Sequence, residues 1–253
     1  MALSIDLAGR AAIVTGAGTG IGSGIARALA QAGAAVALTY HTSGEGVQQV
    51  RGEIEAAGGH AVALQCDTRS VAQIQATLAA ALSELGDVDI LVNNAGLTDP
   101  HPVLELTEEE WDRTLDANLK GMFFFSQAFA RHCAGKGRPG AIVNLSSIHG
   151  TRASRDHTHY AASKAAIDHM TRSLATNLAQ YHVRVNAIAP GAVEVPRFFR
   201  NDPNYSGERV GRGIPLGRVG QPEDIAPLVC FLASDLSSWT SGAVVHVTGA
   251  GGF

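Results

Sequence analysis

Seven short apolar runs recur along the chain, and segments with the period of an amphipathic helix lie between them. The runs are AAIVT (11–15), AVALTY (35–40), AVALQC (61–66), DILVNN (89–94), AIVNLS (141–146), VRVNAIA (183–189) and AVVHVT (243–248). Most are nearly continuous in apolar residues, the pattern of strands covered on both faces. Segments such as IGSGIARALAQAG, SVAQIQATLAAALSELG and AASKAAIDHMTRSLATNLAQ space their apolar residues by three and four. That spacing belongs to helices packing one face on a sheet. Repeated strand–helix–strand units require parallel strands and right-handed crossovers. The expected fold is therefore α/β, a doubly wound parallel sheet of about seven strands with helices on both faces.

The 253 residues, 45% hydrophobic and 17% charged, suit one large domain with a sizeable core. No repeat, low-complexity tract or linker divides residues 1–253. The net charge of −4 implies no basic face and no nucleic-acid partner. The N-terminus, MALSIDLAGR, meets Asp6 before any long apolar run, which argues against a signal peptide. No stretch approaches the roughly 20 apolar residues of a membrane span, so no membrane partner is expected. Cys66, Cys133 and Cys230 are scattered and odd in number. They read as reduced thiols of a cytoplasmic protein. TEEEW (107–111) is a capping box, with Thr107 as cap and Glu110 three residues on. The least regular stretch, 194–217, carries Pro196, Pro203 and Pro215 and two exposed-looking phenylalanines. An insertion of this kind in a compact fold reads as a substrate lid.

TGAGTGIG (15–22) follows the first strand and opens the first helix. Gly16, Gly20 and Gly22 allow a tight turn and close backbone approach, with Thr19 and Ile21 between them. The helix N-terminus then offers free N–H groups to a pyrophosphate. The second strand ends in Tyr40, His41, Thr42 and Ser43, where an NAD site usually has an acid on the adenosine ribose. No arginine or lysine stands in this loop or in the glycine turn. The missing acid removes repulsion against a 2′-phosphate, so NADP or dual use with NAD is expected. Asp67, beside Thr68 after the third strand, is either an acceptor for the adenine amine or a helix N-cap. Asn94, Ala95 and Gly96, in NNAG (93–96), let backbone lie against the cofactor.

Tyr160 and Lys164 are four residues apart on the helix after the fifth strand, so they share a face. Ser147 ends that strand. A tyrosine acid/base at neutral pH needs a pKa below its ordinary value near 10, and a neighbouring ammonium favours the phenolate. Ser147 can bond the substrate oxygen while the tyrosine moves its proton.

With these residues on the page, the chain resembles the short-chain dehydrogenases/reductases. TGAGTGIG, NNAG, Asn118, NLSS followed by YAASK, APG (189–191) and the tail GRVGQPEDIAPLVCFLASDLSSWTSG stand in family order across nearly the whole chain. The resemblance implies a single Rossmann-type domain and a tetrad of Asn118, Ser147, Tyr160 and Lys164. Tyr160 is then the acid/base and Ser147 orients the carbonyl or hydroxyl. Lys164 holds the nicotinamide ribose, and Asn118 holds a water in a proton relay. Pro190, Gly191 and Val193 border the cofactor. Family members are usually tetramers or dimers, and a homotetramer is expected, pairing through the helices after strands four and five and the C-terminal region. Two positions depart from the family. Val195 stands where a threonine often touches the nicotinamide amide, and TGAGG (248–252) replaces a DGG segment.

Residues 149–159 are unusually hydrophilic. His149, Arg152, Arg155, Asp156, His157, Thr158 and His159 crowd the active strand end. Many donors and acceptors suit a polyhydroxylated small-molecule substrate, because each buried hydroxyl needs a partner. SSIH with HYAASK is similar to the sugar 1-dehydrogenase branch, which implies oxidation of an aldose at C1 to its lactone. Ser147, His149, Arg152, Tyr160 and Glu194 are the expected substrate residues. The alternatives are a 3-oxoacyl or general carbonyl reductase and a non-catalytic NADP sensor. His149, His157 and His159 lack a spaced carboxylate or cysteine set, so no metal is expected.

Overall fold

The computed structural model describes residues 4–252. Met1–Leu3, where the N-terminal reading begins, and Phe253, at the end of the expected domain, lie outside the described residues. All seven apolar runs are strands: β1 (Ala11–Val14), β2 (Ala35–Tyr40), β3 (Ala61–Gln65), β4 (Ile90–Asn93), β5 (Gly140–Leu145), β6 (Val183–Pro190) and β7 (Val244–Val247). They form one parallel sheet in the order β3-β2-β1-β4-β5-β6-β7. The alternation of side chains along a strand divides the core in two. Ala12 and Val14 of β1 face one cluster, with Ile90 and Val92. Ile13 faces the other, with Leu91, Ile142 and Val185.

Helices α1 (Gly20–Gln31) and α2 (Gly44–Ala56) cover the first face. Helices α3 (Val71–Leu85), α4 (Glu108–Leu115), α5 (Gly121–Lys136) and α6 (Thr158–Leu178) follow in the chain. Of these, α3, α5 and α6 place Ile74, Phe125, Phe129 and Ala175 against the second face. The lid holds two short helices, α7 (Pro196–Asn201) and α8 (Gly207–Gly211). Finally α9 (Pro222–Ala233) returns to the first face, where Ile225 and Val229 join the core. The expected capping box opens α4: the Glu110 N–H donates to Thr107 Oγ1, and the Thr107 N–H donates to Glu110 Oε2 at 3.0 Å.

The chain runs outward from β1 through β2 to β3, then crosses back so that β4 lies on the other side of β1. This reversal opens a crevice at the carboxyl ends of β1 and β4, the place where doubly wound sheets bind ligands. A second feature went unseen in the sequence. Asp116–Lys120, between α4 and α5, is a π-helical turn containing Asn118. Such turns re-aim a side chain within an otherwise regular helix.

Candidate active site

The crevice opens into a cleft of about 930 Å³ at the carboxyl ends of the strands. Every residue expected at the cofactor or reaction site lines it, except Asn118 and Glu194. Another hollow, of about 860 Å³, lies at the opposite strand ends and is rimmed by Arg27, Glu53, Asp87, Asp89 and Arg138. Those charges are already paired with one another.

At the cofactor end, Thr19 precedes α1 in extended backbone and makes no side-chain cap bond, and no acid occupies the first turn. The helix start is therefore free for an anion. Gly16 holds φ +65°, and a Cβ on Gly22 would collide with the Gly16 carbonyl and the Asn94 amide nitrogen. The turn thus forms a cradle that only glycine leaves open, and it fits a dinucleotide pyrophosphate. Gly22→Val is expected to weaken NAD(P)H binding about tenfold or more, the usual overpacking cost expressed as affinity. Titration by nicotinamide fluorescence checks this, and unchanged affinity at unchanged folding would refute the cradle. Asn94 lines the cleft, but its amide nitrogen donates to the Thr15 and Gly16 carbonyls at 2.8 and 3.1 Å. Thr15 Oγ1 accepts from the Asn94 and Ala95 N–H groups at 2.9 Å each. Asn94 therefore braces the glycine turn.

Asp67 is not a helix cap. Ser70 caps α3, and the Asp67 carboxylate instead takes a two-pronged bond from Arg69 at 2.9 and 2.7 Å, which holds it down at about 2. Arg69 lines the cleft with Tyr40, His41, Thr42 and Ser43. This cation lies outside the second-strand loop and the glycine turn; the chain after β3 delivers it to the cleft. Its signal was the adjacency of Asp67 and Arg69.

At the other end, α6 places Tyr160 and Lys164 on one face, with Lys164 Nζ 5.6 Å from the tyrosine ring centre. Lys164 is buried and donates to the Leu145 carbonyl at 2.7 Å. Burial pulls its ammonium down to about 8. Burial pushes the Tyr160 phenol up, while the hydrogen bond from Ser147 and the charge of Arg197 pull it down. Arg197, on α7 in the lid, also acts on the phenol, beside the Lys164 ammonium to which the sequence pointed. No local motif marks Arg197; only the folding of the lid over the cleft brings it there.

Asn118 is 1% exposed and does not reach the cleft. Its amide donates to the Leu97 carbonyl at 2.9 Å and Ser163 Oγ at 3.0 Å, and its carbonyl oxygen accepts from the Leu97 N–H at 2.7 Å. The π turn directs the side chain inward, where all its bonds tie the 94–97 loop to α6. Its side-chain bonds are thus committed to the protein. Glu194 also turns away. Val193 is buried and bridged to Gly220, and alternation along this extended segment sends Val193 and Val195 to the cleft and Glu194 to the reverse side. Its carboxylate accepts from Gln221 Nε2 at 3.4 Å.

The hydrophilic segment divides similarly. His149, Arg152 and His157 line the cleft; Arg155, Asp156, Thr158 and His159 do not. Arg155 is in solvent, Asp156 occupies a turn at φ +60°, and His159 is fully buried with its ring against His101. His149 and His157 stand edge-on to the Tyr160 ring at 5.7 and 6.1 Å. Burial holds His149 below the ordinary imidazole range, and its Nδ1 has no partner. Among the described residues no group of three His, Cys, Asp or Glu is placed to hold a metal. Val195 lies over Gly20, so the lid begins directly above the glycine turn. The divergent tail bends through Ala250 at φ +63° and sets Gly252 against Ile148 and Arg152, at the edge of the reactive end.

A parallel sheet with an anion cradle at its switch point and a tyrosine–lysine pair beyond it defines a nicotinamide-dependent oxidoreductase. Residues 16–252 match the family described as enoyl-(acyl carrier protein) reductase. The chain is 38% identical over 248 residues to 3β-hydroxysteroid dehydrogenase 1 of Eggerthella lenta, covering 96% of this chain and 94% of the relative. A putative short-chain alcohol dehydrogenase from Sinorhizobium meliloti 1021 superposes with a TM-score of 0.91 at 41% identity, covering 98% of both chains. A 7α-hydroxysteroid dehydrogenase complexed with NADH and 7-oxo glycochenodeoxycholic acid gives 0.92 at 36%, covering 98% of this chain and 96% of that one. The chain belongs to the short-chain dehydrogenase/reductase family. It is an oxidoreductase acting on CH–OH and carbonyl groups with an NAD(P) cofactor. No described helix is long and apolar enough to cross a membrane.

Proposed function

We propose that this protein oxidises an aldose at C1 to its lactone, with NADP or either dinucleotide as acceptor. The observation that carries the substrate class is the unpartnered, buried Nδ1 of His149 beside Tyr160, with Arg152 and His157 on the same wall. An unsatisfied buried ring nitrogen set among charged and polar side chains matches a substrate rich in hydroxyls. The bound cofactor supplies the hydride acceptor. Tyr160 takes the proton of the C1 hydroxyl, Ser147 bonds that oxygen, and Lys164 stabilises the phenolate and holds the ribose. Asn118 keeps α6 and the 94–97 loop in register. The absence of an acid at Tyr40, with Arg69 lining the same cleft, supports NADP. A cytoplasmic homotetramer completes the reading, and the exposed Trp239 and half-exposed Trp111 supply apolar surface for pairing. Reduction of 3-oxoacyl or other carbonyl compounds is the alternative, favoured by the acyl-carrier description of the matched family. The non-catalytic sensor is disfavoured by the presence of both Tyr160 and Lys164.

A panel of aldoses, polyols and β-ketoacyl thioesters, followed by nicotinamide absorbance with both cofactors, tests this. Lactone formation from aldoses is expected. Activity on ketoacyl thioesters with none on any sugar overturns the aldose reading.

A further inference from the structure

The chain has a formal net charge of −4, yet its cleft is strongly positive. Arg69, Arg113, Arg152, Lys164, Arg197 and Arg200 line it, against the single carboxylate of Asp67. Arg69 is held by Asp67, Arg113 pairs with Asp99 at 2.7 Å, and Lys164 bonds the Leu145 carbonyl. Arg197 is different. It is partly buried in the first turn of the lid helix α7, with its guanidinium 5.4 Å over the Phe198 ring and no carboxylate or carbonyl partner among the described residues. Asp99 and the Tyr160 phenol act on this guanidinium, but neither is hydrogen-bonded to it, so its donors are free for an anion delivered by the ligand.

The cofactor's phosphates have their own cradle at Gly16–Gly22. Arg197 instead lies near Tyr160, and Arg152 lines the same reactive end; both guanidiniums act on His149. Guanidinium groups match carboxylates geometrically, with two parallel bonds per pair. We propose that Arg197, together with Arg152, binds a carboxylate on the substrate, so that the preferred substrate is an aldose bearing an acid group, a uronic acid. This inference rests on the aldose reading. The reaction balances as before: the C1 hydride goes to nicotinamide, the hydroxyl proton to Tyr160, and the acid group is unchanged.

The test compares D-glucuronate with D-glucose and D-galacturonate with D-galactose, pairs that differ at C6 alone. Wild-type kcat/KM is expected to favour the acid about tenfold to a hundredfold, mainly through KM. Arg197→Gln should bring the ratio close to one, and Arg197→Lys should keep part of it. Equal use of acid and neutral sugar overturns the proposal while leaving the aldose reading intact. So does an Arg197→Gln variant that loses NADPH affinity by the same factor as uronate activity, because Arg197 then serves the cofactor. If no sugar turns over, the aldose reading falls. The carboxylate site is then judged by whether D-glucuronate perturbs the fluorescence of the enzyme–NADPH complex, and no Arg197-dependent change overturns it as well.

Discussion

Tyr160→Phe is expected to lower turnover by about 10²–10⁴-fold, the range for loss of a positioned general acid/base, while NAD(P)H binding survives. The phenylalanine keeps the ring that packs edge-on against His149 and His157, so the wall of the cleft should stand. What is lost is the oxygen next to Ser147. Since burial raises the phenol and Arg197 lowers it, the rate of alcohol oxidation in the wild type should climb with pH as the phenolate forms. Carbonyl reduction, which needs the protonated phenol, should run the other way. Steady-state rates in both directions, with fluorescence titration of the cofactor, check this. Retained oxidation by the variant removes the tyrosine mechanism.

Lys164→Met should change activity and stability in opposite directions. Lys164 is 5% exposed, and burial lowers its pKa from an ordinary 10.5 to about 8. Because the folded value is the lower one, the unfolded chain binds the extra proton. Stability therefore falls as pH is lowered from about 10.5 to about 8, and the deficit is constant below that. At about 1.4 kcal/mol per pKa unit, it reaches about 3 kcal/mol. Methionine fills similar space without a charge, so at pH 7 the variant should melt higher, by that amount less the lost bond to the Leu145 carbonyl. The gain should vanish above about pH 10.5, where the lysine is neutral in both states. Turnover should drop about 10²–10³-fold, as when a preorganised charged donor is removed. Calorimetry across pH 7–11 decides it: a variant that melts lower at pH 7 contradicts a strained lysine.

The strands were legible because burial on both faces writes itself as an unbroken apolar run, and each was located to within about a residue. The glycine turn and the Tyr160–Lys164 pair were legible because both are local. One is a junction of strand and helix, the other a single helical turn. Asn118 and Glu194 stand apart from the other expected site residues, outside the cleft lining, for a different reason. Their positions in the chain were right, but their directions depend on a π turn and on the alternation of a bridged segment, neither of which composition reveals. The dense polar stretch from His149 to His159 misled in the same way, since adjacency in sequence put seven side chains together and the fold sent only three of them into the cleft.

By itself, the sequence determined the parallel strands and their helices, the anion cradle and the tyrosine–lysine pair. All of these follow from periodicity and spacing within one or two turns of chain. Only the tertiary structure decided which charges meet. It brought Arg69 into the same cleft as the Tyr40–Ser43 loop, set Arg197 of the lid where its charge acts on Tyr160, and turned Glu194 out. Side-chain direction and charge pairing depend on distances between segments far apart in the chain, which no local pattern encodes.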